Sequence, residues 1–193
     1  MSSRSIDAAV PPIRTDRLEL VSLAPSFLDA LLGGRRAEAQ AQGGFSLPDG
    51  WPDAHDRRFL ELRLRELRDE PERQQWLVRA LVLPEQDRPM VGSAGFHGPP
   101  GRNALEADDA VELGYAVLPP YRGRGYATEA VRALIDWASG EHGIRHFVAS
   151  VAPDNAPSLA ILGRLGFEQT GRHWDDEDGE ELEFELRIAT GAP

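Results

Sequence analysis

Arg122-Gly123-Arg124-Gly125 sets two guanidinium groups and two residues without side chains at the mouth of an apolar-periodic stretch. Exposed backbone N–H groups, the positive end of a helix dipole and arginine forks together make an anion site, most naturally for phosphate. Upstream, Val111, Leu113, Tyr115 and Val117 alternate with Glu112, Gly114 and Ala116, the two-residue period of a strand. Downstream, Ala127, Ala130, Val131, Leu134, Ile135 and Ala138 keep the spacing of one helix face. The unit that must position the arginines is therefore strand, proline break, turn and helix over residues 111–139. It points to a phosphate-bearing ligand held beside a strand.

Composition removes several other chemistries. All 21 basic residues are arginine, which excludes a lysine Schiff base and a Walker-type phosphate lysine. There is no cysteine, so disulfides, thiolate metal sites and a cysteine nucleophile are excluded too. His142 and His146 have i, i+4 spacing, but Gly143 separates them and a strand is expected to start near His146. No metal is expected there. A net charge of −11 and a pI near 4.9 disfavour nucleic-acid binding. No apolar run approaches the roughly 20 residues that span a bilayer. The opening MSSRSIDAAVPPIRT lacks the apolar core of a signal peptide. A cytoplasmic protein with no membrane partner is the expectation.

Taken in order, residues 1–12 read as a flexible lead-in and 13–190 as one domain. Thr15 to Leu23 alternates as a strand, and Pro25 opens a short helix through Leu32 that ends at Gly33-Gly34. Residues 33–53, with paired glycines and isolated Phe45, Leu47 and Trp51, read as a loop, either a lid or a plain surface connection. Ala54 to Asp69 is a charged amphipathic helix, and Trp76–Leu83 with Pro89–His97 forms a hairpin. Arg145 to Val151 is a buried strand. Asn155 then caps a helix over Ser158 to Leu165, with Pro157 in its first turn. Phe167–Trp174 and Glu181–Ile188 close as a hairpin. The spacing predicts a mixed α/β fold, parallel only where a helix crosses over.

Arg122-Gly123-Arg124-Gly125-Tyr126-Ala127 fits the (Gln/Arg)-x-x-Gly-x-(Gly/Ala) signature, and the chain resembles the GNAT superfamily of acyl-CoA N-acyltransferases. The preceding Glu112-Leu113-Gly114-Tyr115, the following Ala127-Thr128-Glu129-Ala130 and the opening TDRLEL resemble the ribosomal-protein N-terminal acetyltransferase branch. Asn155-x-x-Ser158, Gly166-Phe167 and Gly171 follow at the distances of that family. The likeness covers roughly residues 13 to 188.

The resemblance implies a mostly antiparallel sheet that splits into a V, flanked by helices, with acetyl-CoA as co-substrate entering the V. Its pantetheine arm would run along the strand that ends at Val117 and Leu118. Its pyrophosphate would rest on the N–H groups of Arg122, Gly123, Arg124, Gly125, Tyr126, Ala127 and Thr128. Glu112 resembles the glutamate that serves the family as general base, set against a plain solvated glutamate on a sheet face. Ser158 is a candidate donor to the departing thiolate or a helix cap, and Asn155 is a cap, a ligand contact or both. Where many members carry a tyrosine acid, this chain has Leu162, which leaves Ser158, Tyr115, Tyr121 or water. Acetyl transfer would go directly to a primary amine, with a protein or peptide α-amine ahead of a small amine, and a CoA-binding module without catalysis as the rival class. A homodimer is a possible assembly. Phe45, Trp51 and Trp174 are either walls of the acceptor pocket or, as scattered aromatics more often are, core. The acidic run over 175–185 is either a solvated hairpin or a lure for cationic substrates.

Overall fold

The computed structural model describes residues 10–175 and 179–189. Its strands are β1 (Ile13–Arg14), β2 (Glu19–Ser22), β3 (Arg79–Val82), β4 (Met90–Phe96), β5 (Ala110–Val117), β6 (His146–Val151), β7 (Glu168–Asp175) and β8 (Gly179–Arg187). Its helices are α1 (Pro25–Leu32), α2 (Arg36–Gly43), α3 (Ala54–Asp69), α4 (Tyr126–His142) and α5 (Ala156–Leu165). The sheet runs β1-β2-β3-β4-β5-β6-β8-β7. Among the described residues only β5 and β6, joined through α4, are parallel neighbours. That is where a helical crossover allows a parallel pair.

Alternation along the strands gives the sheet two apolar faces. Leu81 belongs to a core with Val131, Leu134, Ile135 and Leu162, so α4 and α5 cover that face. Ala80 and Val82 belong to a second core with Phe27, Leu28, Leu60 and Leu67, so α1 to α3 cover the other. No helix among the described residues is long and apolar enough to cross a membrane.

Several expectations change. Residues 33–53 are not a bare loop, because α2 occupies Arg36–Gly43. Only Ala39 of α2 is buried, so no apolar periodicity announces the helix. Phe45 and Trp51 pack into the second core, the commoner of the two readings open for them. Trp174 is 74% exposed on β7. The strand placed at Trp76–Leu83 starts only at Arg79, since Pro71–Gln75 forms a 3-10 turn that leads into it. Of the supposed lead-in, residues 1–9 lie outside the described residues. The next residues are anchored, since the Pro11 carbonyl accepts a bond from Arg79 at 3.1 Å.

Arg79 is itself buried, with its guanidinium bonded to Pro11, Leu20 and Gln75 carbonyls and stacked over Trp137. Burial pushes it down to about 10, still charged at neutral pH. The two histidines at i, i+4 part ways. His142 packs against Trp76 and Trp137, while His146 lies 3.0 Å from Asp109 and 2.7 Å from Glu185.

Candidate active site

β5 and β6 pair only where Ala110, Val111 and Glu112 face His146, Phe147 and Val148. Beyond Glu112, β5 stays with β4 as far as Val117, and β6 stays with β8 as far as Val151. The parallel pair therefore opens into a V whose apex is Glu112. His97 N–H bonds the Glu112 carbonyl and Leu118 N–H bonds that of Val91. Even-numbered residues thus turn their main chain toward β4, and Leu113, Tyr115 and Val117 turn theirs toward the cleft. A cavity of about 480 Å³ fills the apex, lined by Glu112, Tyr115, Ser150, His97, His173 and Glu181 among others. A second, of about 220 Å³, adjoins it between His97 and the start of α3 at His55, Asp56 and Phe59. A larger groove of about 1060 Å³ lies between the N-terminal segment and α4. It touches the glycine turn at Gly125 and Thr128 but holds neither Glu112 nor Ser158, so size does not locate the chemistry.

At the open end of β5, the chain turns through Gly123 and Gly125, both with left-handed φ of 74° and 84°. Gly125 is the N-cap of α4 and makes no side-chain cap bond, so the first N–H groups of the helix have no capping oxygen of their own. Tyr126, Ala127 and Thr128 form that first turn. Arg122 Nε bonds the Val117 carbonyl at 2.9 Å, and Arg124 bonds the Pro120 carbonyl at 3.2 Å while lying over Tyr121. Both guanidinium groups are thus tethered at the rim of the turn.

The TDRLEL segment turns out to hold this helix mouth in place. The Thr15 hydroxyl donates to Glu129 at 2.6 Å, Arg17 Nε does so at 2.7 Å, and Arg17 also bonds the Arg124 carbonyl at 3.0 Å. Burial alone would push the Glu129 carboxyl up, but the bonds from Thr15 and Arg17 outweigh it and hold the carboxyl below its ordinary value. A lowered carboxylate contributes stability above its unfolded pKa of about 4.5 and loses it as pH falls through the folded value. Glu129→Ala is expected to cost roughly 1–3 kcal/mol at neutral pH. The loss should shrink in urea unfolding at about pH 3.5. An equal loss at both pH values would show that the charge is not what Glu129 contributes.

Glu112 is 4% exposed. Its Oε2 accepts the Ala104 N–H at 2.7 Å and lies 3.5 Å from His97 Nδ1, and its Oε1 accepts the Ser150 hydroxyl at 3.0 Å. Burial is the largest single influence and pushes the carboxyl up, but His97, Ala104 and Ser150 together hold it below the ordinary value. Glu112 is therefore a fixed negative charge at neutral pH. His97 is the site residue that no motif pointed to, since its meeting with Glu112 depends on the register of β4 against β5.

On the opposite wall, Asn155 caps α5 by accepting the Ser158 N–H at 3.2 Å. The helix starts at Ala156, two residues before the expected Ser158. Ser158 faces Tyr115, whose hydroxyl is buried without a fully formed hydrogen bond. Burial pushes that phenol up, so it stays protonated. Leu162 is fully buried in the core and offers nothing to the cleft. Of the acidic run, residues 176–178 lie outside the described residues, while Asp175 and Glu181 line the apex cavity.

The site is framed by an open strand edge that runs from a buried carboxylate to an uncapped glycine turn. Residues 17–168 match the Acetyltransferase (GNAT) domain, and the chain belongs to that family of N-acetyltransferases. It is 27% identical to the uncharacterized N-acetyltransferase YjdG of Bacillus subtilis, over 80% of this chain and 88% of that one. An acetyltransferase structure from Agrobacterium tumefaciens is 26% identical and superposes with a TM-score of 0.59 over 97% of this chain and 100% of its own. The ribosomal alpha-N-protein acetyltransferase RimL, solved in complex with coenzyme A, shares the fold at 19% identity, with a TM-score of 0.60 over 92% of this chain and 98% of its own.

Proposed function

We propose that this chain moves an acetyl group from acetyl-CoA directly to a primary amine, with protein or peptide N-terminal α-amines as the acceptor class. The observation that carries the reading is the V that opens at Glu112, between an unpaired β5 edge and the glycine turn of α4. The residues fit the co-substrate. A Cβ at Gly123 would meet nothing within 4 Å, so the turn presents open backbone, and Gly125 approaches it from the uncapped helix end. Gly123, Gly125 and the first N–H groups of α4 would hold the pyrophosphate, with Arg122 and Arg124 at its rim. The main chain of Leu113 and Tyr115 and the N–H of Val117 would offer the pantetheine arm the hydrogen bonds that β6 no longer takes.

When bound, acetyl-CoA supplies a thioester-activated acetyl group. The chain supplies position and proton handling, and holding amine and thioester together accounts for much of the rate. Glu112 is the carboxylate on which removal of the amine proton depends. Tyr115 Oη, kept protonated beside Ser158, holds a proton where the sulfur leaves. With no cysteine in the sequence, an acetyl-cysteine route does not exist.

The acceptor reading draws on the fold shared with RimL, which acts on protein α-amines, and on the acid lining of the cavity by Glu112, Asp175 and Glu181, which favours a cationic amine. Thiol release measured over peptides, polyamines and aminoglycosides tests it. Peptides with a free N-terminus should exceed N-blocked peptides and small amines in kcat/KM by at least about tenfold, or 1.4 kcal/mol. Faster turnover of a polyamine or an aminoglycoside would overturn the acceptor class. Absence of thiol release with every amine would overturn the catalytic reading.

A further inference from the structure

We infer that His97 is the group that takes the proton from the acceptor amine, with Glu112 orienting it from behind. The inference rests on the acetyltransferase reading above and deepens it. Glu112 is the less accessible acceptor, because it is buried and each of its oxygens already faces a neighbour. Ala104 N–H and the His97 ring share one, Ser150 holds the other, and the carboxylate is buried. His97 is the half-exposed group beside it and lines both the apex cavity and the neighbouring cavity against α3.

Its main chain is held by two hydrogen bonds. The His97 N–H donates to the Glu112 carbonyl at 2.8 Å, and its own carbonyl accepts Arg63 at 3.0 Å. The ring reaches from Glu112, 3.5 Å from Nδ1, across to Gly114, where a Cβ would come within 2.9 Å of Nε2. Gly114 therefore leaves the space that lets Nε2 lie along β5, inside the V. A carboxylate at Nδ1 favours the tautomer with Nδ1–H, which leaves Nε2 as the acceptor. The other titratable and charged groups around the ring are Arg63, His55 and Asp56 from α3 and His173, Asp175 and Glu181 from β7 and β8. His173 is itself engaged by Glu181 and Glu183, at 3.6 Å and 3.1 Å.

Proton affinity also disfavours direct transfer to Glu112. An α-ammonium has an ordinary pKa of about 8, so transfer to a carboxylate held below 4.5 is uphill by more than about 3 units. In the proposed step, the ammonium gives its proton to Nε2 and becomes a neutral amine. Its lone pair forms the carbon–nitrogen bond as the thioester carbon–sulfur bond breaks, and the leaving sulfur is protonated at Tyr115 and Ser158. The amide nitrogen then loses its second proton to solvent, and the His97 proton, passed back through solvent, offsets the one that the Tyr115–Ser158 pair gave to the sulfur, so one proton is released net.

His97→Ala and the closer-shaped His97→Gln should each lower kcat/KM by roughly a hundredfold to a thousandfold. Acetyl-CoA affinity by calorimetry should be unchanged. The wild-type pH profile should show a limb that both variants lose, and added imidazole should restore part of the His97→Ala rate. A merely structural residue would show neither the lost limb nor the rescue. Wild-type kcat/KM in both variants, or lost activity that imidazole does not restore, overturns the inference while leaving the acetyltransferase reading intact. A wild-type protein inactive on every amine overturns both.

Discussion

Glu112→Gln should lower kcat/KM for the amine by about a thousandfold while leaving acetyl-CoA affinity within about twofold. The substitution keeps the size of the side chain and an oxygen for the Ala104 N–H, and the Ser150 hydroxyl can turn to accept instead of donate. What it removes is the negative charge 3.5 Å from His97 Nδ1. The retained oxygen still faces Nδ1, but the imidazolium that forms during proton transfer loses its counter-charge, so the loss should fall on kcat rather than on co-substrate binding. Stability gives a second readout with a defined sign. The Glu112 carboxyl is lowered in the folded chain, so its contribution is present above the ordinary value of 4.5 and disappears as pH falls through the folded value. The difference in unfolding free energy between wild type and Glu112→Gln should therefore narrow on acidification. An unchanged kcat/KM would remove Glu112 from the mechanism, whatever its effect on stability.

The parts of this site that could be read from sequence are those encoded by local chemistry. The strand that ends at Val117, the glycine turn and α4 lie within one continuous stretch, where period and turn residues speak directly. Asn155 as a cap and Gly166 at φ 86° after α5 are equally local. What could not be read depends on register or on competition for burial. His97 meets Glu112 because Phe96 pairs with Leu113, a fact of the β4–β5 ladder. Thr15 and Arg17 meet Glu129 across more than a hundred residues. Phe45 and Trp51 could be read as core or pocket wall, because nothing local says that α1 and α3 leave a core for them to fill. The helix α2 lacks an apolar stripe, and only its Ala, Glu and Gln content favours it. Leu162 is the reverse case, since an absent tyrosine was legible. The Tyr115 hydroxyl, proposed above in its place, lies beside Ser158 through the pairing of distant elements, which the sequence does not show.

Gly125→Val should weaken acetyl-CoA binding by a hundredfold or more, about 2.7 kcal/mol. Two effects combine. At φ 84°, a β-branched residue is strained, by about 1–3 kcal/mol, and relief of that strain would turn the N–H groups of the α4 mouth away from their common focus. The added methyls would also stand where the anion must approach. The folded chain itself has room, because the nearest atom to a Cβ there is Arg17 Nη2 at 3.3 Å, the far end of a flexible side chain. Folding should survive with a thermal midpoint lower by roughly 2–12 °C, at about 2–4 °C per kcal/mol for a chain of this size. Gly34→Val separates strain from site. Gly34 has a φ of 76° and nothing within 4 Å of its Cβ, and it lies beside α1, away from the cleft. It should show a comparable fall in midpoint with unaltered acetyl-CoA affinity. If Gly125→Val binds as tightly as wild type in calorimetry, the turn does not hold the pyrophosphate, and the phosphate must be sought elsewhere along α4.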